Sequence, residues 1–377
     1  MFEFELLHRD IASAARAGRF NTPHGSFDTP TFMPVGTCAT VKGLTCEQLA
    51  ATGSQIVLAN TYHLLVRPGP QVVRRLGGVH AMLGWRGPML TDSGGYQVFS
   101  LAELRRLSDE GVTFRSHVDG SAVELTPQRA IEVQEALGAD IIMQLDECPP
   151  HEAPRAAIAE AVERSAVWAR RCLAAKMRDD QALFAIQQGG VDLELRAQSA
   201  RQIVELDLPG YAIGGLSVGE GHEAMLSVLR TIEGQFPRAK PRYLMGVGEP
   251  RDILAAVACG VDMFDCVLPT RNGRNAFAYT WSGPLRLRNA AHASDTRPLD
   301  ESCPCPACRN YSRGTIRHLF MAQEMLGPIL LTVHNLTFFA QFMRAIREAI
   351  AQGSFGRQSR EWIEKLYPAD KGADPNG

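Results

Sequence analysis

The chain has 377 residues, 45% hydrophobic and 21% charged, the balance of an ordinary globular protein, which excludes a disordered or fibrous one. Its net charge of −2 excludes a polycation, so any contact with nucleic acid must be a local patch. The start, Met1-Phe2-Glu3-Phe4-Glu5, carries acid where a secretory signal carries base, and no apolar run reaches the roughly 18 residues of a membrane span, so a cytoplasmic protein without membrane contact is expected.

In chain order, the first 30 residues alternate in hydrophobicity around Gly25-Ser26 and predict a β-hairpin with its turn there. Eight short apolar runs follow, at 31–35, 55–60, 89–92, 140–146, 183–188, 211–215, 243–247 and 263–268. Amphipathic stretches separate them, the clearest at 158–176 and 193–208. Short apolar runs alternating with helical stretches imply parallel strands with helical crossovers, and eight units imply an α/β fold of the (β/α)8 barrel type, a TIM barrel. Asp92, Asp146, Gln188, Gly215, Gly248 and Asp265 fall at or near the C-terminal ends of these runs. A barrel gathers those ends around one mouth, whereas an open sheet would spread them along an edge. The repeat breaks between Thr280 and about Leu331, where a cysteine cluster predicts an inserted zinc-binding subdomain. A helix is predicted over 333–351, and the tail from Pro368 is polar. The expected organisation is a hairpin over 1–30, the barrel over 31–280, the zinc-binding insert over 281–340 and a helical C-terminal segment with its tail over 341–377.

Four motifs carry chemistry. Cys303, Cys305 and Cys308 lie within six residues, and His334 follows after 25 more, with His318 between them as a second candidate. Three thiolates and one imidazole fill a tetrahedral Zn2+ shell with no open position, so one structural zinc per chain is expected. Thr91-Asp92-Ser93-Gly94-Gly95-Tyr96-Gln97 places a carboxylate before a glycine pair that lets backbone approach a ligand. The fourth run ends in Asp146, Glu147 and Cys148, and charges at the end of an apolar strand are costly unless paired or used. The eighth ends in Asp265, which makes a carboxylate pair with Asp92 of the kind glycosyl transfer uses, one as nucleophile and one as acid/base. From Thr270 to Phe320 there are eight arginines against three acidic residues, a local excess suited to phosphates. A barrel glycosidase acting on free sugars or nucleosides, and a non-catalytic tRNA-binding subunit, are the competing readings. The first would not need the arginine-rich insert, and the second would be expected to lack the nucleophile, whereas Asp92 and Asp265 are both present.

Taken together, Asn60-Thr61-Tyr62-His63, the segment from Thr91 to Gln97, Asp146-Glu147-Cys148, the segments 214–220 and 264–275, and the cysteine cluster with His334 resemble the tRNA-guanine transglycosylases, also called queuine tRNA-ribosyltransferases. The resemblance spans the chain from its N-terminal hairpin to about Tyr367. It implies Asp265 as nucleophile and Asp92 as general acid/base. It implies Ser93, Asp146, Cys148, Gln188, Gly215, Leu216 and Val218 as residues around the base, with Tyr96 and Met245 sandwiching it. Arg271 and Arg274 would hold the anticodon bases of a tRNA, and His334 rather than His318 would complete the zinc shell. Cys148 and Val218 resemble the bacterial form, which takes guanine and 7-aminomethyl-7-deazaguanine (preQ1) at the wobble position of GUN-anticodon tRNAs (Asp, Asn, His, Tyr). The bacterial members are homodimers, and the reaction is a double displacement through a covalent enzyme–tRNA intermediate. No role is evident for Cys38 or Cys46.

Overall fold

The computed structural model describes residues 2–101 and 105–367. The chain opens with three antiparallel strands, β1 (Phe4–Arg9), β2 (Arg16–Thr22) and β3 (Gly25–Thr29). The predicted hairpin is therefore a three-stranded sheet. Its second turn falls at Pro23-His24, because Thr22 pairs with Gly25 and Ser26 already lies opposite Asn21. Proline cannot donate to the ladder and fits the turn better than the strand.

Strands β4 (Thr31–Met33), β5 (Val57–Ala59) and β6 (Met89–Thr91) begin the barrel. An antiparallel sheet, β7 (Arg105–Ser108), β8 (Gly111–Arg115) and β9 (Ala122–Leu125), stands outside it. The barrel resumes with β10 (Ile141–Met143), β11 (Ala182–Gln187), β12 (Gly210–Ile213), β13 (Arg242–Leu244) and β14 (Met263–Asp265). All neighbours are parallel, in the order β4-β14-β13-β12-β11-β10-β6-β5. The segment after β4 closes the ring against β5. Leu58 donates its N–H to the Pro34 carbonyl at 3.0 Å, and Gly36 donates to the Leu58 carbonyl at 2.6 Å. The eight predicted runs are the eight strands of a closed parallel barrel.

Side chains alternate across each strand, so every second residue points inward. Leu90, Met143, Phe184, Ile186, Ala212, Tyr243 and Met263 share the interior with Phe20 and Phe27 of the N-terminal sheet. That sheet plugs the floor of the barrel: the Phe20 ring meets Phe184 edge-on at 5.8 Å. Arg16 fastens it to the strand starts. Its Nε donates to Asp262 at 3.0 Å, and its other nitrogens reach the carbonyls of Arg238 and Lys240 at 2.7 and 2.8 Å.

The outer helices begin at side-chain caps that satisfy their free N–H groups. Thr126 accepts from Arg129 N ahead of Pro127–Leu137, and Asp192 accepts from Glu194 and Leu195 ahead of Leu193–Val204. Each cap contributes about 1 kcal/mol. After β14 come the short pair β15 (Phe277–Ala278) and β16 (Leu285–Arg286), then the helices Pro306–Asn310 and Arg313–Met321. The next helix, Leu326–Ala351, begins seven residues before the predicted start. Among the described residues it alone is long and apolar enough to cross a membrane, yet 72% of its most apolar window is buried in this fold, as befits a core helix.

Candidate active site and metal centre

Period-two alternation decides what the mouth presents. Asp92 stands two residues beyond the inward Leu90, Gln188 two beyond Ile186, Met245 two beyond Tyr243 and Asp265 two beyond Met263. All four therefore project inward at the C-terminal ends of their strands. They line one cavity of about 500 Å³, together with Ser93, Tyr96, Asp146, Cys148, Gly215, Leu216, Val218 and Arg271.

Asp92 is held by three donors. Asn60 Nδ2 and Gln97 Nε2 reach Oδ2 at 2.6 and 2.7 Å, and Thr61 N reaches Oδ1 at 2.7 Å. Burial outweighs those bonds and, with the negative charge of Asp265 adding to it, pushes the Asp92 pKa up to about 6. That value suits a group that gives and takes a proton near neutrality.

Asp265 is held differently. Its Oδ1 accepts from the Tyr243 hydroxyl at 2.7 Å and from Gly246 N at 2.8 Å. Its Oδ2 has no hydrogen-bond partner among the described residues and is left to the cavity. Burial raises this carboxyl too, against those two bonds.

The third aspartate forms part of the pocket wall. Asp146 accepts from Ser93 Oγ at 2.8 Å and from Gln188 Nε2 at 2.7 Å, and burial raises its pKa. Gln188 Oε1 is buried without a hydrogen-bond partner among the described residues, close to the Gly214-Gly215 turn. A Cβ at Gly215 would stand 2.4 Å from that oxygen, and Gly215 has φ +63°, so glycine is required twice over. A carboxylate, an amide and this open turn form a surface that can hydrogen-bond the edge of a flat heterocycle. Cys148 lines the same wall, and burial pushes its thiol up to about 12, so it stays a neutral apolar filler. Glu147, adjacent in sequence, faces away and pairs with Arg164 outside the barrel.

Arg271 and Arg274 sit one turn apart on the helix Leu268–Arg274. Arg271 lines the cavity, whereas Arg274 does not. Burial and the Arg271 charge lower the Arg274 pKa, and its Nη1 has no hydrogen-bond partner among the described residues. Sequence reasoning gave no role to Tyr243, Gly246, Gln97 or Asn60, although each falls in a run or motif it singled out. The signal for Tyr243 was there, since it precedes Met245 by one inward step.

Cys303, Cys305, Cys308 and His334 converge, with all ligand atoms within 4.8 Å of one another. A tetrahedral zinc at about 2.3 Å from sulfur and about 2.0 Å from nitrogen sets those atoms roughly 3.5 Å apart. His334 Nδ1 lies 3.6 Å from Cys305 Sγ and 3.3 Å from Cys308 Sγ, so the donor set fits the ion. The other ring nitrogen lies 2.8 Å from the Tyr279 carbonyl, which fixes the tautomer and leaves Nδ1 to face the thiols. A second grouping, His24, His80 and Asp140, lies at the barrel floor. Its two imidazoles stack at 3.7 Å with planes 19° apart, so their in-plane lone pairs do not converge on one ion.

Comparisons with known proteins identify a family for the whole chain. A family model described as queuine tRNA-ribosyltransferase matches residues 10–368. Curated proteins of that name are similar along nearly their whole length. The one from Moorella thermoacetica is 54% identical over 362 residues, covering 96% of this chain and 97% of its own. One from Thermus thermophilus is 52% identical over 366 residues, covering 97% and 94%. That from Novosphingobium aromaticivorans is 53% identical over 359 residues, covering 94% and 96%.

Proposed function

Since the chain belongs to the queuine tRNA-ribosyltransferase family, the tRNA-guanine transglycosylases, we propose that it exchanges the wobble guanine of GUN-anticodon tRNAs (Asp, Asn, His, Tyr) for 7-aminomethyl-7-deazaguanine. The observation that carries this reading is the pairing of two unlike carboxylates at one cavity. Asp265 offers a free oxygen, and Asp92 has a pKa near 6. The wobble nucleotide swings out of the anticodon loop into the cavity, which is cheap for a loosely stacked loop base. Asp265 attacks the anomeric carbon while Asp92 gives a proton to the departing guanine. The incoming base then loses a proton to Asp92 and displaces Asp265, so two inversions give net retention. Positioned proton transfer contributes roughly 10²–10⁴ of the rate.

Ser93, Asp146, Gln188 and Gly215 read the base edge, and Tyr96 and Met245 cover its faces. Arg271 and Arg274 hold the neighbouring nucleotides. Leu216 offers its carbonyl to the aminomethyl ammonium, a bond of about 1.5–3 kcal/mol that guanine cannot make. Val218 and Cys148 narrow the wall against the larger queuine. One zinc ion on the Cys3His set holds the insert in shape without entering the reaction. A cytoplasmic homodimer is the form in which this enzyme works.

The test is exchange of labelled guanine into an unmodified tRNA-Tyr transcript. Incorporation is expected with that transcript and none when its wobble guanine is replaced by adenine. Equal incorporation into both would refute the assignment of position.

A further inference from the structure

Asp265 Oδ1 receives two donors while Oδ2 receives none, and the two steps of the reaction feel that asymmetry in opposite ways. The Tyr243 hydroxyl lies 2.7 Å from Oδ1, and Gly246 N lies 2.8 Å from it. Tyr243 is fully buried in the barrel interior, with its ring packed among the inward side chains.

We infer that Tyr243 is a positioning residue that acts through Asp265 to release the covalent intermediate. This rests on the double displacement proposed above. In the first step the Oδ2 lone pair forms the bond to the anomeric carbon. The bond to guanine breaks, and guanine leaves with the proton of Asp92. Oδ1 is now an ester carbonyl oxygen, carries less charge and accepts more weakly. In the second step the incoming base bonds to the same carbon and passes its proton to Asp92. The carbon–Oδ2 bond breaks, its electron pair returns to the carboxylate, and Oδ1 regains its charge under two waiting donors. Hydrogen bonds to an ionised acceptor are roughly twice as strong as those to a neutral one. The pair on Oδ1 therefore favours the free carboxylate over the ester. It restrains the nucleophile slightly and helps the leaving group, which keeps the ester from becoming a trap.

The test compares the wild type with Tyr243→Phe, which keeps the ring that fills the barrel. Adduct formation on tRNA in a single turnover is measured first. The adduct is then chased with unlabelled guanine. Loss of one charge-assisted bond is expected to slow the chase about tenfold or more, to leave formation within about threefold, and to raise the fraction of enzyme held as adduct during turnover. If formation slows as much as the chase, Tyr243 only fixes the carboxylate's orientation and the inference fails. It fails equally if neither changes. Replacing Tyr243 with 3-fluorotyrosine, a stronger donor of nearly the same size, is expected to speed the chase, and this arm decides the matter should the phenylalanine variant not fold. A wild-type enzyme that forms no adduct on Asp265 sinks the double displacement itself, a failure visible before either variant is made.

Discussion

Asp92 accepts three hydrogen bonds and still has its pKa raised to about 6, because burial outweighs them. Asp140 shows the opposite balance at the barrel floor. Burial would raise it too, but His80, His24 and Met89 N hold it below the ordinary value. The floor aspartate is thus committed to its charge, while the mouth aspartate is poised to change it. A carboxyl raised in the folded state contributes stability below its unfolded pKa near 3.8 and loses it as pH rises through about 6. At pH 8 the buried charge costs up to about 3 kcal/mol. Asp92→Asn is therefore expected to raise Tm by a few degrees at pH 8, with the gap closing towards pH 4, while exchange is lost. A Tm gap independent of pH would show that burial of this charge is not its source. Val218 belongs to the same scale. Opening the wall with Val218→Gly is expected to raise queuine incorporation relative to 7-aminomethyl-7-deazaguanine in competition on one tRNA. Equal use of both bases by the wild type would remove any role for Val218 and Cys148 in base choice.

Among the elements, the four residues that could hold a metal ion come from two places. Cys303, Cys305 and Cys308 surround the start of the short helix Pro306–Asn310, and His334 rides on Leu326–Ala351. The ion would tie one to the other and contribute on the order of 10 kcal/mol to the insert. Cys305→Ala is expected to lose the metal, unfold the insert and weaken tRNA binding while the helical circular dichroism of the barrel largely remains. Folded, active protein with no zinc by metal analysis would overturn this. The barrel strands were legible because each ends in a polar or glycine residue after a short apolar run. The sheet β7–β9 was not, since its strands lie outside the repeat and bury only a few apolar residues, such as Val112 and Phe114, among polar ones. The early start of Leu326–Ala351 was hidden by Gly327 and Pro328, which read as a break, although proline in a first turn leaves no helical bond unmade.

At the scale of the whole molecule, the fold separates two ends. The floor is sealed by Phe20 and Phe27 and clamped through Asp140 and Asp262, whereas the mouth holds Asp92, Asp146 and Asp265 around one cavity. Spacing along strands made the mouth legible, since inward positions follow from period two once the strands are found. What one strand does to another was not, because the contacts of Tyr243 with Asp265 and of Asn60 with Asp92 depend on how the ring closes. Family resemblance implied roles for residues lining the cavity, but none for the groups that hold Asp92 and Asp265. The most direct test of the central claim is mass spectrometry of the enzyme denatured during turnover on tRNA-Tyr, digested with protease and nuclease. A nucleotide adduct on the peptide containing Asp265, absent from Asp265→Ala although that variant still binds tRNA, is the expected result. An adduct on another residue, or active enzyme with no adduct under any trapping condition, would contradict it.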